Sequence, residues 1–135
     1  MTDTTFSNKV DEILEQAIIE FGFERQIRQF FEESAELQQA LCKFIRYKES
    51  GENQPATIHV LRDNVQEEMA DVMLTLRQLV IMFDSRDNLE RIKLTKLNKL
   101  RRHIEQSQKR KTGDHKKGNG NLLSFVLDSS NESEG

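Results

Sequence analysis

Two short stretches carry acids at a spacing that can do chemistry. In FEESAELQQALCK, Phe31 to Lys43, Glu33 and Glu36 stand three residues apart with Glu32 alongside; in EEMADVML, Glu67 to Leu74, Glu68 and Asp71 repeat the interval. On an α-helix such residues lie about 60° apart around the axis and about 4.5 Å apart along it, so each pair points one way. Both pairs border an apolar stripe, Glu36 next to Leu37 and Asp71 next to Val72. Packing of the two helices through those stripes would bring the pairs face to face. Four converging carboxylates repel one another unless a cation holds them, and oxygen-only ligation of this kind suits a hard divalent ion, Mg2+ or Mn2+. Glutamates at this spacing are also commonplace on solvated helix faces. What argues for a site is the repetition on two helices, each time beside the stripe. A di-iron bundle would need Glu-x-x-His motifs, and His59, His103 and His115 all lack an acid three residues before them.

The elements that must position these acids are helices. Val10, Ile13, Leu14, Ala17, Ile18 and Phe21 recur at three- and four-residue spacing before Gly22, predicting a first helix near 7–20. A second is predicted from about Phe23 to Lys48, with Ile27, Phe30, Ser34, Leu37, Leu41 and Phe44 as its packing stripe. Gly51, Asn53 and Pro55, the only proline, mark a loop over 49–56. The third helix, about Thr57 to Phe83, is expected to bury Leu61, Val65, Val72, Leu76, Leu79 and Phe83. Asp87 followed by Glu90 resembles a capping box and opens a fourth helix reaching to about Gln108. No alternating strand pattern occurs, so the expected fold is all-α, an antiparallel bundle of about four helices over residues 1–106.

With 135 residues the chain is about one domain, too short for two independent cores. A bundle this small leaves apolar surface for another subunit, which implies a homodimer or homotetramer. The sequence offers neither a long apolar run nor a secretory start, so the expectation is a cytoplasmic protein with no membrane partner. Cys42, the single cysteine, can form no internal disulfide and reads as a small apolar filler on its helix. Residues 107–135 read as a flexible tail, interrupted by the apolar segment NLLSFVLD, 121–128, either an unstructured sticky piece or an element that docks on the bundle or on a partner. The net charge of -3 conceals an uneven distribution. Lys/Arg against Asp/Glu number 9 to 18 over residues 1–90, 11 to 2 over 91–117, and 0 to 3 over 118–135. A basic block beside an acidic one fits either a nucleic-acid-facing segment or an acidic metal site served by phosphate-binding cations.

The paired motifs, Glu33-Ser-Ala-Glu36 and Glu68-Met-Ala-Asp71, resemble the ExxE and ExxD signature of the MazG-like all-α nucleoside triphosphate pyrophosphohydrolases. FGFERQIRQFFEESAELQQALCK is similar to the entry helices of short members, and IKLTKLNKL to their Lys-rich closing helix; the resemblance spans roughly residues 16–104. The 31 residues between Glu36 and Glu68 slightly exceed the usual separation, an excess that the Gly51/Pro55 loop can absorb. The resemblance implies Mg2+-dependent hydrolysis of a nucleoside triphosphate, a deoxyribonucleotide by preference, to the monophosphate and pyrophosphate. It assigns Glu33, Glu36, Glu68 and Asp71 as metal ligands. Glu32 and Glu67 are the spare carboxylates that could take a proton from the attacking water. Lys96, Lys99 and Arg102, on one side of the closing helix, would meet the phosphates, and Gln26 would line the base pocket.

Two other classes stay open. A nucleic-acid-binding accessory protein would use the basic segment Arg91–Lys117, although that segment has no aromatic residue for stacking and no reading motif, which makes nucleic acid the less expected partner. A catalytically inactive helical interaction module would keep the bundle without turnover and dock through NLLSFVLD.

Overall fold

A computed structural model describes residues 4–113. Among these residues there are four helices and no strand, the all-α class that the periodicity predicts. They are α1 (Thr4–Phe21), α2 (Phe23–Glu49), α3 (Pro55–Met82) and α4 (Arg86–Gly113). One compact unit runs to Glu90 and contains α1 to α3; a second begins at Arg91 and contains most of α4. No described helix is long and apolar enough to cross a membrane. The segment 121–128 lies outside the described residues.

In the first unit the punctuation falls where the sequence sets it. Gly22 alone separates α1 from α2 and adopts φ 89°, a left-handed value that glycine takes without a steric penalty. Its N–H closes α1 on the Ile18 carbonyl at 2.9 Å, and its own carbonyl accepts from Gln26 at 3.3 Å to open α2. At the far end of α2 the Tyr47 hydroxyl accepts from the Gln54 N–H at 2.7 Å, tying the loop to the helix. Pro55 then stands at the first position of α3, where its missing N–H is not needed. This short connection turns α2 and α3 into a hairpin. Phe23 meets Phe83 edge-on at 5.5 Å between centroids, Glu36 meets Glu68, and Tyr47 meets Gln54, so one helix's numbering falls as the other's rises.

Helix α1 is fastened across this hairpin by a clamp that no local pattern predicts. The Arg77 guanidinium donates to Asp11 Oδ1 at 2.6 Å, and to the Ser7 hydroxyl and carbonyl at 2.8 and 3.0 Å. Arg86 donates to the other Asp11 oxygen at 3.0 Å. Hydrogen bonding from Arg77 foremost, and from Arg86, holds the Asp11 carboxyl below its ordinary range despite partial desolvation.

The buried face overlaps the one expected but is displaced around both helices. The most deeply buried apolar residues among those described are Leu14 and Ala40, accompanied by three polar ones, Gln26, Thr75 and Gln78. Of the residues expected inside, Ile27, Phe30, Ser34, Leu37 and Phe44 of α2 and Leu61, Val65, Val72 and Leu79 of α3 are half-buried, whereas Leu41, Leu76 and Phe83 are 41%, 48% and 61% exposed. At 100° per residue, the buried positions of α2 lie roughly 70° around from the centre of its leucine-phenylalanine stripe, and those of α3 roughly 100° from theirs. In both helices the displacement is toward the acids. The α2–α3 seam therefore takes in most of the stripes and reaches round to the carboxylates. Cys42 is likewise exposed, not a filler, because it sits on the opposite side of α2 from Gln26 and Ala40.

Helix α4 starts one residue earlier and ends later than predicted. Asp87 is inside its first turn, where a carboxylate meets the positive helix end, rather than at a capping position. Residues 107–113, read as tail for want of apolar periodicity, continue the helix. Gln, Lys and Arg are good helix formers that extend an existing helix without a new nucleation cost, and Arg110 and Lys111 suit its negative end.

Candidate metal centre

The i, i+3 spacing on α2 sets Glu33 and Glu36 side by side, and the antiparallel register of α3 brings Glu68 opposite them. One carboxylate oxygen from each of the three lies within 4.8 Å of the others. Glu33 and Glu68 are half-buried and Glu36 is exposed, which leaves the cluster open on one side. The Gln29 amide, one turn before Glu33 on α2, donates to Glu33 Oε1 and orients it.

Glu68 is the unusual member. Its Oε2 is shut off from solvent and has no hydrogen-bond partner. A buried carboxylate oxygen without a donor is destabilising, and here other acids surround it. Desolvation first, then the charges of Glu36, Asp71, Glu67 and Glu33, push the Glu68 carboxyl above the ordinary glutamate range. Every described group acting on this carboxyl favours its neutral form; a bound cation would reverse the balance.

The donor set fits Mg2+ or Mn2+. Such ions take carboxylate oxygens at about 2.1 Å, so ligand atoms around one ion lie about 3 to 4 Å apart. From a separation of up to 4.8 Å the oxygens need close by at most about 1 to 2 Å to meet that span, a shift within reach of the exposed Glu36 side chain.

The remaining expected residues divide. Asp71 is half-buried and contributes to the field at Glu68, but it stands outside the group of three, so three carboxylates converge where four were expected. Glu67 is exposed and also bears on Glu68; Glu32 is exposed on α2. Gln26 is buried on the same side of α2 as Glu33. Lys96, Lys99 and Arg102 come together with Arg91, Ile92 and Thr95 around a depression of about 420 Å³ on α4, within the second compact unit. Sequence reasoning missed Gln29 as a support for Glu33, although its spacing of four from Glu33 was a readable signal. It also missed the buried Gln78 and Thr75. The Thr75 hydroxyl donates within its own helix to the carbonyls of Asp71 and Val72, at 2.9 and 3.1 Å, so its burial needs no partner across the seam.

Comparison with protein-family models, with curated proteins and with solved structures finds no match.

Proposed function

We propose that the protein is a MazG-like nucleoside triphosphate pyrophosphohydrolase that uses Mg2+, with Mn2+ as a substitute. The observation carrying this reading is the convergence of Glu33, Glu36 and Glu68 at a helix seam, where Glu68 also holds a buried oxygen with no donor. A seam that serves packing alone gains nothing from that arrangement, whereas a bound cation would offset its charge.

In this reading Glu33, Glu36 and Glu68 hold the ion, with Asp71 adding negative charge beside them. When bound, Mg2+ offsets phosphate charge and makes a coordinated water more acidic. The exposed carboxylate of Glu67, or that of Glu32, accepts the proton of the attacking water. The water oxygen bonds to the α-phosphorus, the bond from that phosphorus to the α–β bridging oxygen breaks, and pyrophosphate leaves with the bridging oxygen. Lys96, Lys99 and Arg102 offset the charge of the triphosphate, and Gln26 contacts the base of a deoxyribonucleotide. The assembly is a homodimer or homotetramer. The exposed stripe members Leu41, Leu76 and Phe83 supply apolar surface that a second copy would cover.

The test is product identity. Purified protein with Mg2+ and nucleoside triphosphates is expected to yield monophosphate and pyrophosphate; formation of diphosphate and orthophosphate instead would place the reaction at the other bond and refute the assignment.

The exposed basic helix α4 favours a second reading, an interaction module or nucleic-acid accessory. Binding that weakens steeply with salt, together with no pyrophosphate release, would support it over the first.

A further inference from the structure

The acids of α2 and α3 do not explain the apolar side of α4. Leu94, Leu97, Leu100 and Ile104 are 61%, 60%, 54% and 49% exposed. At 100° per residue they fall within an arc of roughly 120°. The depression around Lys96, Lys99 and Arg102 lies on the other side of the helix. A four-residue leucine-isoleucine stripe left in water is an association surface.

We propose that the occupant of this stripe is the chain's own segment Asn121–Asp128, NLLSFVLD, docking in cis on the helix that precedes it.

Three features favour this occupant. The first is reach. Nine residues of helix separate Ile104 from Gly113, about 14 Å at the helical rise, and the seven residues 114–120 can span about 23 Å. The segment thus begins within reach of Ile104. The second is length. From Ile104 back to Leu94 is about 15 Å along the helix, and eight residues cover about 12 Å if helical and about 26 Å if extended. Leu122, Leu123, Phe125, Val126 and Leu127 supply apolar groups of matching number. The third is charge. From Arg91 to Lys111 the helix carries 9 Lys/Arg against Glu105 alone, whereas residues 118–135 carry 3 acids and no Lys or Arg. Folding back brings Asp128, Glu132 and Glu134 toward the basic N-terminal part of this run. The 114–120 connection falls within the lengths that join neighbouring antiparallel elements.

The full chain with Cys42→Ser, which removes the exposed native thiol, tests the proposal by cross-linking. Leu97→Cys and Phe125→Cys are placed in the same chain and oxidised mildly, with helical circular dichroism confirming the fold. The expected result is a disulfide within one chain, seen as a faster-migrating monomer without reductant, at least tenfold more abundant than linked dimer. In a parallel arm the two cysteines sit on separate, differently tagged chains, and no heterodimer is expected. Predominant cross-linked dimer would give the stripe to a second copy and overturn the proposal. An absence of either product, with Leu123→Cys tried in place of Phe125→Cys, would overturn it as well.

Discussion

Replacing Glu68 by glutamine separates what the carboxylate cluster costs the metal-free fold from what it would contribute to holding Mg2+. Glu68 Oε2 is buried without a donor, and four acids push its carboxyl toward the neutral form. An amide of nearly the same size removes the like-charge repulsion, so in the absence of divalent metal Glu68→Gln is expected to melt above the wild type. Added Mg2+ reverses the order. At a concentration a hundredfold above Kd, binding to the folded state alone stabilises it by about 2.7 kcal/mol. For a domain of this size that moves Tm upward by roughly 10–20 °C. Loss of one of three anionic ligands weakens the site, and a hundredfold weaker site retains only about 0.4 kcal/mol at the same concentration. Thermal melts in EDTA and along a Mg2+ titration, on wild type and Glu68→Gln, read both effects. A variant that melts below the wild type in EDTA, or that gains as much from Mg2+, would refute the reasoning.

Four further outcomes follow. Asp11→Asn breaks the charge pairing that fastens α1 to α3, and with Arg77 one-third exposed the loss is expected at about 1–2 kcal/mol by urea denaturation. The two shifted carboxyls also separate in pH. Asp11, held low, contributes fully above about pH 4, and its contribution is lost as pH falls through its depressed value. Glu68, held high, makes the metal-free protein more stable as pH falls through its raised value toward about 4.3, a gain absent from Glu68→Gln. Gln29→Ala leaves Glu33 without its orienting amide and should weaken Mg2+ binding about tenfold by calorimetry without lowering stability in EDTA. Lys96→Ala with Lys99→Ala should raise KM for the triphosphate while leaving Mg2+ binding unchanged; an unchanged KM would remove these lysines from the site.

Much of this organisation is legible in the sequence because it is local. Three- and four-residue spacing identifies the first three helices and the Asp87/Glu90 pair the start of the fourth, Gly22 and Pro55 punctuate them, and the i, i+3 rule alone brings Glu33 beside Glu36. The short loop before Pro55 supplies the antiparallel register that adds Glu68. What was not legible depends on how helices rotate against one another. Apolar periodicity identifies a face but not which of two neighbouring arcs forms the seam, so Gln26, Thr75 and Gln78 are buried while Leu41 and Leu76 are not. The clamp between Asp11 and Arg77 joins residues 66 apart, and no local pattern couples them. Residues 107–113 are helical by propensity and continuity, signals that periodicity does not register.

The central claim is hydrolysis at a carboxylate-held Mg2+, and pyrophosphate release measures it most directly. Wild type and Glu36→Gln should be incubated with Mg2+ and a panel of ribo- and deoxyribonucleoside triphosphates. The account predicts release by the wild type, strongest with one or more deoxyribonucleotides, and a loss of at least a hundredfold in Glu36→Gln with helical content intact. No release from any triphosphate, with Mn2+ also tried, or equal release by Glu36→Gln, would contradict it.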